Sequence, residues 1–332
     1  MFFNMDRYNV YAIGNALVDM EFEVTEDLLS QLKIDKGVMT LIDEDRHHEL
    51  VDELLKYEVK KASGGSSANT AIAVSQFGGS SFYSCRVAND DTGLFYLEDL
   101  ERCGVDSNVD PEHRPDGVTG KCLVFVTPDA DRTMNTHLGI AADFSTTDLV
   151  PEAIAASDYL YIEGYLVASP PGKAAAIEAR NLAQQAEVKT SLSLSDPNMV
   201  DFFKPGLLEM IGSGLDFIFA NESEALKLAD AKDIDGAIAY LKTLSKQFAI
   251  TLGSKGSLIY DGSAVVEIPS VSVKAIDTVG AGDMYAGALL YGMTHGMSFK
   301  ASGNLASRAA ARVVSSLGPR LEPDETQSLL AA

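Results

Sequence analysis

The alternation of strand-like and helix-like segments after residue 157 constrains the fold of this chain more than any other feature. Short apolar runs, typical of buried strands, are each followed by a longer segment with helical periodicity. Strands are predicted at residues 159–162, 190–194, 217–219 and 248–251, and helices at 172–186, 201–211, 222–228 and 234–245. Because parallel strands need crossover connections, this pattern predicts an α/β fold with a mostly parallel sheet and helices on both faces.

The segments before residue 157 include β structure that does not fit this alternation. Strands are predicted at residues 22–24 and 38–42, and a β-hairpin over 120–138 turns at Pro128 and Asp129. We expect these strands to form a small sheet that projects from the main body as a lid, with a ligand-binding crevice between the two. The predicted large domain comprises residues 1–14, 49–110 and 140–330, and the predicted lid comprises 15–48 and 111–139.

Composition and charge narrow the classes of partner. The 332 residues carry a net charge of −22, so the phosphates of nucleic acids and acidic membranes would be repelled. We find no apolar stretch long enough to span a membrane, no signal-peptide pattern in residues 1–7, and only three cysteines, without metal-ligand spacing. We therefore expect a cytoplasmic protein that binds neither nucleic acid nor membrane, as a monomer or a homodimer.

The heptapeptide Asp-Thr-Val-Gly-Ala-Gly-Asp at residues 277–283 is the strongest chemical signal. Gly280, Ala281 and Gly282 leave the backbone accessible directly before a helical stretch, so the N–H groups and the positive dipole end of that helix favour a bound anion. Asp283 either takes a proton from an alcohol or caps the helix, and the heptapeptide alone leaves both open. A dinucleotide fingerprint is disfavoured, because position 285 is Tyr where a third glycine is needed.

Five segments together resemble the ribokinase-like (PfkB) family of sugar and nucleoside kinases. They are the heptapeptide, residues 64–69 (Gly-Gly-Ser-Ser-Ala-Asn), residues 221–224 (Asn-Glu-Ser-Glu), residues 251–256 (Thr-Leu-Gly-Ser-Lys-Gly), and the pair Asn15 and Asp19. The resemblance runs from about residue 10 to residue 320 in the order typical of the family. It implies a ribokinase-like three-layer α/β/α fold with a mostly parallel central sheet and a small β-sheet lid.

The resemblance also implies an ATP-dependent phosphotransferase that acts on the primary hydroxyl of a ribose-type substrate. Asp283 would be the general base, Gly280, Ala281 and Gly282 the anion hole, and Arg132 a ligand of the transferred phosphate. The implied substrate-binding residues are Asn15, Asp19, Gly64, Gly65, Asn69 and Tyr165. The implied nucleotide-binding residues are Asn221, Thr251, Gly253, Gly256 and Asn304, the last placed at the opening of the last helix.

The cofactors implied by the resemblance are ATP and Mg²⁺, with a monovalent cation such as K⁺ near residues 318–320 as an additional expectation. Glu224 would hold Mg²⁺ through water, because Mg²⁺ keeps much of its hydration shell. Read without the resemblance, Asn221 and Glu224 also fit an ordinary capped helix start, and Tyr165 also fits a core position.

Three details resemble the adenosine kinase branch of the family, in its bacterial members. They are residues 14–19 (Gly-Asn-Ala-Leu-Val-Asp), 132–138 (Arg-Thr-Met-Asn-Thr-His-Leu) and 163–166 (Glu-Gly-Tyr-Leu). They imply a small-molecule acceptor, with adenosine converted to AMP. Two alternatives stay open: a kinase for a free sugar such as ribose or fructose, and a non-catalytic regulator that binds a nucleoside or a sugar.

Overall fold

A computed structural model describes residues 7–129 and 132–331 of the chain. The strands are β1 Tyr8–Ile13, β2 Leu17–Glu23, β3 Met39–Leu41, β4 Lys60–Gly64, β5 Ser81–Ser84, β6 Val105–Ser107, β7 Gly120–Val126, β8 Arg132–His137, β9 Ser157–Glu163, β10 Lys189–Ser193, β11 Leu215–Asn221, β12 Ser245–Thr251, β13 Ser257–Tyr260 and β14 Val265–Ile268. The helices are α1 Glu26–Gln31, α2 Glu44–Leu54, α3 Ser66–Gln76, α4 Asp91–Arg102, α5 Pro151–Ala155, α6 Pro170–Gln185, α7 Pro197–Ile211, α8 Glu222–Ala229, α9 Ile234–Leu244, α10 Ala281–Thr294, α11 Phe299–Val314 and α12 Pro323–Leu330.

The larger sheet is mostly parallel, as predicted. Within the described ranges its nine strands follow the order β14-β13-β12-β11-β10-β9-β1-β5-β6. Every neighbouring pair from β12 to β6 is parallel, and the β13–β14 hairpin is added antiparallel at one edge. The carboxyl ends of the parallel strands therefore meet at one edge of the sheet.

Helices cover both faces of this sheet, because its central strands are apolar on both sides. Strand β9, for example, is buried at six of its seven positions, which is typical of a parallel strand between two helix layers. One apolar cluster joins the sheet to α3, α4, α10 and α11, and contains Tyr83 and Leu289. A second cluster joins the other face to α5 through α9, and contains Phe82 and Leu192. The predicted three-layer α/β/α fold is thus confirmed.

The predicted lid is a separate sheet in the order β3-β8-β7-β2-β4, counted over the described residues. Its outer face packs against α1 and α2 through an apolar cluster that includes Leu28, Leu50 and Phe125. The strand pattern alternates, so the side chains on its inner face point toward the large sheet.

One part of the predicted division differs from the structure. Residues 60–64, which the prediction placed in the large domain, form edge strand β4 of the lid sheet, and α2 also packs on the lid. The segment Lys-Lys-Ala-Ser-Gly shows little apolar alternation, so its pairing with β2 decides its structure. The division into two domains otherwise stays a prediction.

Some elements lie outside the predicted set. Helices α1, α5 and α12 were not predicted, and each is short.

Residues 1–6, used for the signal-peptide interpretation, and residues 130–131 of the predicted hairpin lie outside the described part of the chain. In the described part, no helix is both long enough and apolar enough to cross a membrane.

Candidate active site

A cavity of about 450 Å³ lies between the lid sheet and the carboxyl ends of the parallel strands. Asn15 follows β1, Glu163 ends β9, and Thr251 ends β12, and all three side chains line this cavity. Open α/β sheets bind their ligands at this edge, and the volume suits a small molecule.

Most of the predicted site residues meet in this cavity, although they are spread over the chain. Those that line it are Asn15, Asp19, Gly65, Asn69, Tyr165, Asn221, Glu224, Thr251, Gly280, Gly282 and Asp283. The predicted site residues outside its lining are Gly64, Ala281, Arg132, Gly253, Gly256 and Asn304.

Asp283 is held at the cavity by the start of α3 and does not cap its own helix. Its Oδ1 accepts a hydrogen bond from Ser66 Oγ at 2.6 Å, and its Oδ2 accepts one from Asn69 Nδ2 at 3.1 Å. The N-cap of α10 is Gly280, which offers no side chain. Burial raises the pKa of Asp283, and the bonds from Ser66 and Asn69 oppose that rise. A carboxylate in this setting can accept a proton from a bound alcohol.

The start of α10 leaves backbone donors open to the cavity. Gly280 has a φ of 76°, and a Cβ there would lie 2.3 Å from the carbonyl oxygen of Pro319, so only glycine fits. A Cβ at Gly282 would meet no heavy atom within 4 Å, so the backbone there opens onto the cavity. Among the described residues, the N–H groups of Gly282 and Asp283 have no hydrogen-bond acceptor. These unpaired donors at a positive helix end fit the phosphate groups of a nucleotide.

Glu224 caps the start of α8 and also lines the cavity. Its Oε2 accepts from the backbone N–H of Asn221 at 2.8 Å, its Oε1 accepts from Asn221 Nδ2 at 2.6 Å, and Asn221 Oδ1 accepts from the N–H of Glu224. This is a capping box, and the carboxylate also lies on the cavity wall. Glu224 is only 4% exposed, and burial raises its pKa to about 7.

The residues present fit a Mg²⁺ ion that keeps most of its water. Over the described residues, no group of three or more acidic, His or Cys side chains is arranged to hold a metal. The carboxylate of Glu224 lines the cavity, and a carboxylate can hold a hydrated Mg²⁺ ion through its water ligands.

Asp19 and Asn15 form the opposite part of the cavity, where the lid joins the body. Burial raises the pKa of Asp19 to about 7, against the attraction of Arg320. Glycine is needed beside both residues. A Cβ at Gly64 would lie 2.4 Å from Asp19 Oδ2, and a Cβ at Gly65 would lie 2.3 Å from the carbonyl oxygen of Asn15. Gly64 therefore supports the site without lining it.

Three residues of the site were missed in the sequence. Ser66 binds Asp283, and buried Glu163 accepts from the N–H and the amide of Asn15 at 3.2 and 3.1 Å. Burial raises the pKa of Glu163 to about 7. Arg320 donates to Asn69 Oδ1 at 2.9 Å. Ser66 and Glu163 lie inside the segments that carry the family resemblance and could have been found there, whereas Arg320 was named only as part of the expected cation segment 318–320 and its contact with Asn69 was not predicted.

Arg132 lies on the inner face of β8 and bridges the lid and the body. Its guanidinium pairs with Glu21 of β2 at 3.1 Å and with Asp277 at 2.6 Å. Its predicted contact with the transferred phosphate stays a prediction. The planar fork of an arginine suits phosphate oxygens as well as carboxylates.

The remaining predicted nucleotide residues lie beyond the cavity. Gly253 opens the 3₁₀ turn Gly253–Lys255 after β12, and Gly256 follows it. The placement of Asn304 at the opening of the last helix was wrong. Helix α11 begins at Phe299 with Ser298 as its N-cap, so Asn304 lies in its second turn, and α12 follows it. The roles of these residues stay predictions.

The lid contributes an apolar wall to the cavity. This wall consists of Leu17, Met39, Leu41, Met134 and Leu138, on strands β2, β3 and β8 and directly after β8. Strand alternation places Asp19 on the same face of β2 as Leu17. The same lid surface also carries Asp19, Cys122 and Thr136, and the sheet edge presents Phe219 and Ala249 beside its polar residues, so both sides of the cavity are mixed in polarity.

A glycine-lined helix start, a buried carboxylate beside it and a β-sheet lid over a parallel sheet define a small-molecule phosphotransferase. The chain belongs to the pfkB family of carbohydrate kinases, whose model matches residues 30–326. It is therefore a nucleoside or carbohydrate kinase, and kinases of this family use ATP as co-substrate, usually with Mg²⁺.

Relatives and solved structures agree on this assignment. The chain is 28% identical to adenosine kinase of Saccharomyces cerevisiae, over 92% of this chain and 95% of the relative. It is 36% identical to the crystal structure of adenosine kinase from Sinorhizobium meliloti, over 98% of this chain and 100% of that one, with a TM-score of 0.89. It is 32% identical to a probable sugar kinase from Rhizobium etli CFN 42, over 98% and 99% of the two chains, also with a TM-score of 0.89.

Proposed function

We propose that this kinase transfers the terminal phosphate of ATP to the primary hydroxyl of a nucleoside, and that it converts adenosine to AMP. The observation that carries the proposal is the group of aliphatic side chains that the lid presents to the cavity, which are Leu17, Met39, Leu41, Met134 and Leu138. A free sugar carries hydroxyls around its whole ring and would press some of them against this wall, where they lose hydrogen bonds to water. A nucleoside presents a flat base to these aliphatic side chains and a ribose to the polar residues at the lid junction, Asp19 and Asn69.

The ribose is held by residues on both sides of the lid junction. We place its vicinal hydroxyls against Asp19 and Asn69, because a carboxylate accepts and an amide both donates and accepts. Tyr165, on the 3₁₀ turn Gly164–Ala168 after β9, lines the cavity and offers a ring for the base. The primary hydroxyl then points toward Asp283.

Asp283 removes the proton of that hydroxyl as the oxygen attacks the terminal phosphorus and the bond to the ADP oxygen breaks. A positioned general base contributes about 10²–10⁴-fold to such a step. The N–H groups of Gly282 and Asp283, with the positive end of α10, stabilise the charge on the phosphoryl oxygens. Mg²⁺, held through water at Glu224, would supply neutralisation of the phosphate charge.

A free-sugar kinase is the second candidate. The similarity to the probable sugar kinase covers nearly the whole chain with the same TM-score as the adenosine kinase structure. A non-catalytic regulator is disfavoured, because Asp283, Glu224 and the open helix start at Gly282 are all present in one cavity.

A coupled assay of ADP release over adenosine, guanosine, inosine, cytidine, ribose and fructose tests the substrate. We expect the highest kcat/KM with adenosine. An inert adenosine together with rapid turnover of a sugar would reject the nucleoside proposal. A charge placed in the wall, Leu41→Asp, should raise the KM for adenosine at least about tenfold, because the base loses an apolar contact surface. Leu55→Asp is the matched control, since Leu55 lies at the end of α2, is 77% exposed and does not line the cavity.

We also propose that a monovalent cation such as K⁺ activates the enzyme from the loop around residues 318–320. Support comes from the loop's contact with the phosphate-side motif, where Gly318 N–H donates to Asp277 Oδ2 at 2.8 Å. Turnover in K⁺ is compared with turnover in tetramethylammonium at equal ionic strength, and equal rates would reject the cation. A sizing column run on the same preparation decides between monomer and homodimer.

A further inference from the structure

Arg320 lies on the loop between α11 and α12 and is fixed by hydrogen bonds to three other elements. Its Nε donates to Asn69 Oδ1 on α3 at 2.9 Å. Its Nη1 donates to Asp99 Oδ2 on α4 at 2.8 Å, and its Nη2 donates to Ser63 Oγ on β4 at 2.8 Å. The Arg320 side chain is only 14% exposed, so this planar fork has one well-determined geometry.

The contact with Arg320 decides which end of the Asn69 amide faces the cavity. A guanidinium can only donate, so it selects the carbonyl oxygen of the amide. The amide nitrogen of Asn69 is thereby directed to Asp283 Oδ2, at 3.1 Å. Rotating the amide by half a turn would place its oxygen against the Asp283 carboxylate and its NH₂ group against the guanidinium. Both of these contacts are repulsive.

We propose that Arg320 is a positioning residue: through Asn69 it holds Asp283 in the orientation that faces the acceptor hydroxyl. This inference rests on the proposed function, in which Asp283 is the base. The loop that carries Arg320 supports the same motif at two other points. Gly318 N–H binds Asp277, and the backbone of Pro319 closes against Gly280.

Arg320 is also a positive charge that faces several titratable groups. These groups are Tyr96 and Asp99 on α4, Cys103 directly after it, Asp19 on β2 and Asp283 on α10, with Arg102 also paired to Asp99. Arg320 lowers the pKa of Asp19, Asp99 and Asp283 against their desolvation. Its removal should therefore move the acidic limb of the pH–rate profile to higher pH.

A double-mutant cycle tests whether Arg320 acts through Asn69. We expect Arg320→Met to lower kcat by about 10–100-fold and to change the KM for Mg-ATP by less than about twofold, because the anion site is not touched. In an Asn69→Ala background the same change should cost less than about threefold, since the amide through which it acts is gone. Arg102→Met is the matched control. Arg102 also pairs with Asp99, but it is 69% exposed and does not contact Asn69, so its kcat should stay within about twofold of wild type.

Each outcome decides for or against the proposal. Equal losses from Arg320→Met in both backgrounds, or an unchanged kcat in the wild-type background, overturn it. If Arg320→Met does not fold, Arg320→Lys enters the same cycle. Lysine keeps the charge and can reach Asp99, so the acidic limb of the pH–rate profile should stay near that of wild type. It cannot also orient the Asn69 amide, so kcat should fall. An Asp283→Asn variant distinguishes failure of the proposed function from failure of the role proposed for Arg320. If it retains turnover, the proposed function fails; if it is inactive while Arg320→Met is fully active, only the role of Arg320 fails.

Discussion

Replacing Glu224 by Gln should stabilise the ligand-free protein at high pH while it impairs catalysis. Burial raises the pKa of Glu224 from 4.5 to about 7. The folded state therefore binds more protons than the unfolded state between these two values, and its stability falls as the pH rises through them. The stabilising contribution is fully present below pH 4.5 and is lost above pH 7 or so.

The size of the effect follows from the same pKa values. A rise from 4.5 to about 7, at about 1.4 kcal/mol per pKa unit, corresponds to about 3 kcal/mol. Gln resembles the protonated carboxyl group, so it escapes the cost of a buried charge. Because both carboxylate oxygens accept bonds from Asn221 and the NH₂ group of Gln cannot accept, the variant loses one capping bond at every pH. We expect the difference in the free energy of unfolding to move in favour of Glu224→Gln by about 3 kcal/mol between pH 4.5 and pH 8.

Urea unfolding at several pH values, with EDTA and without nucleotide, measures this difference. The other buried carboxylates are shared by both proteins, so their titration cancels. Glu222→Gln is the control, because it removes a charge from the same helix start, where Glu222 is 42% exposed and pairs with Lys255. If the difference in the free energy of unfolding between wild type and Glu224→Gln does not grow with pH, the argument that Glu224 carries a buried charge at high pH is wrong. With Mg-ATP, the variant should lose at least about tenfold in kcat.

Two further predictions concern the base and the anion site. The rate constant kcat/KM should rise with pH as Asp19 and Asp283 lose their protons. Burial raises the pKa of Asp19 to about 7 and also raises the pKa of Asp283. A pH–rate profile whose acidic limb lies near the ordinary carboxyl pKa of about 4 would contradict this. Gly280→Ala should lower the melting temperature and the activity together, because its Cβ collides with Pro319. Gly282→Ala should leave the melting temperature unchanged and raise the KM for Mg-ATP, because its Cβ enters only the space proposed for phosphate. Equal melting temperatures for Gly280→Ala and Gly282→Ala would contradict this prediction.

Periodicity and turn chemistry were sufficient to predict the central sheet and the layers around it. Parallel strands β1, β9 and β11 are largely apolar in sequence, and the hairpin over residues 257–268 is marked by Asp261 and Gly262. Strand β4 could not be predicted in this way, since Lys60–Gly64 is ordered by pairing with β2 and not by its own composition. Helix α12 is too short for its pattern to stand out.

Site residues could be predicted where they lie together in one sequence motif, but not where tertiary contacts bring distant residues together. Asp283 and Gly282 are adjacent in the heptapeptide, so their chemistry is visible in the sequence. The contact of Arg320 with Asn69 joins residues 251 positions apart, and no local pattern reports it. The same limit applies to Arg132, because its pairing with Asp277 depends on where the lid sheet lies against the body.

The turnover of Asp283→Asn, measured by single-turnover transfer from Mg-ATP to adenosine, tests the central claim most directly. Asn keeps the size of the side chain and can still bond Ser66, but it cannot accept the proton of the acceptor hydroxyl. We expect binding of adenosine and Mg-ATP within a few-fold of wild type and a transfer rate lower by at least about 10²-fold. A transfer rate close to that of wild type would show that Asp283 is not the base.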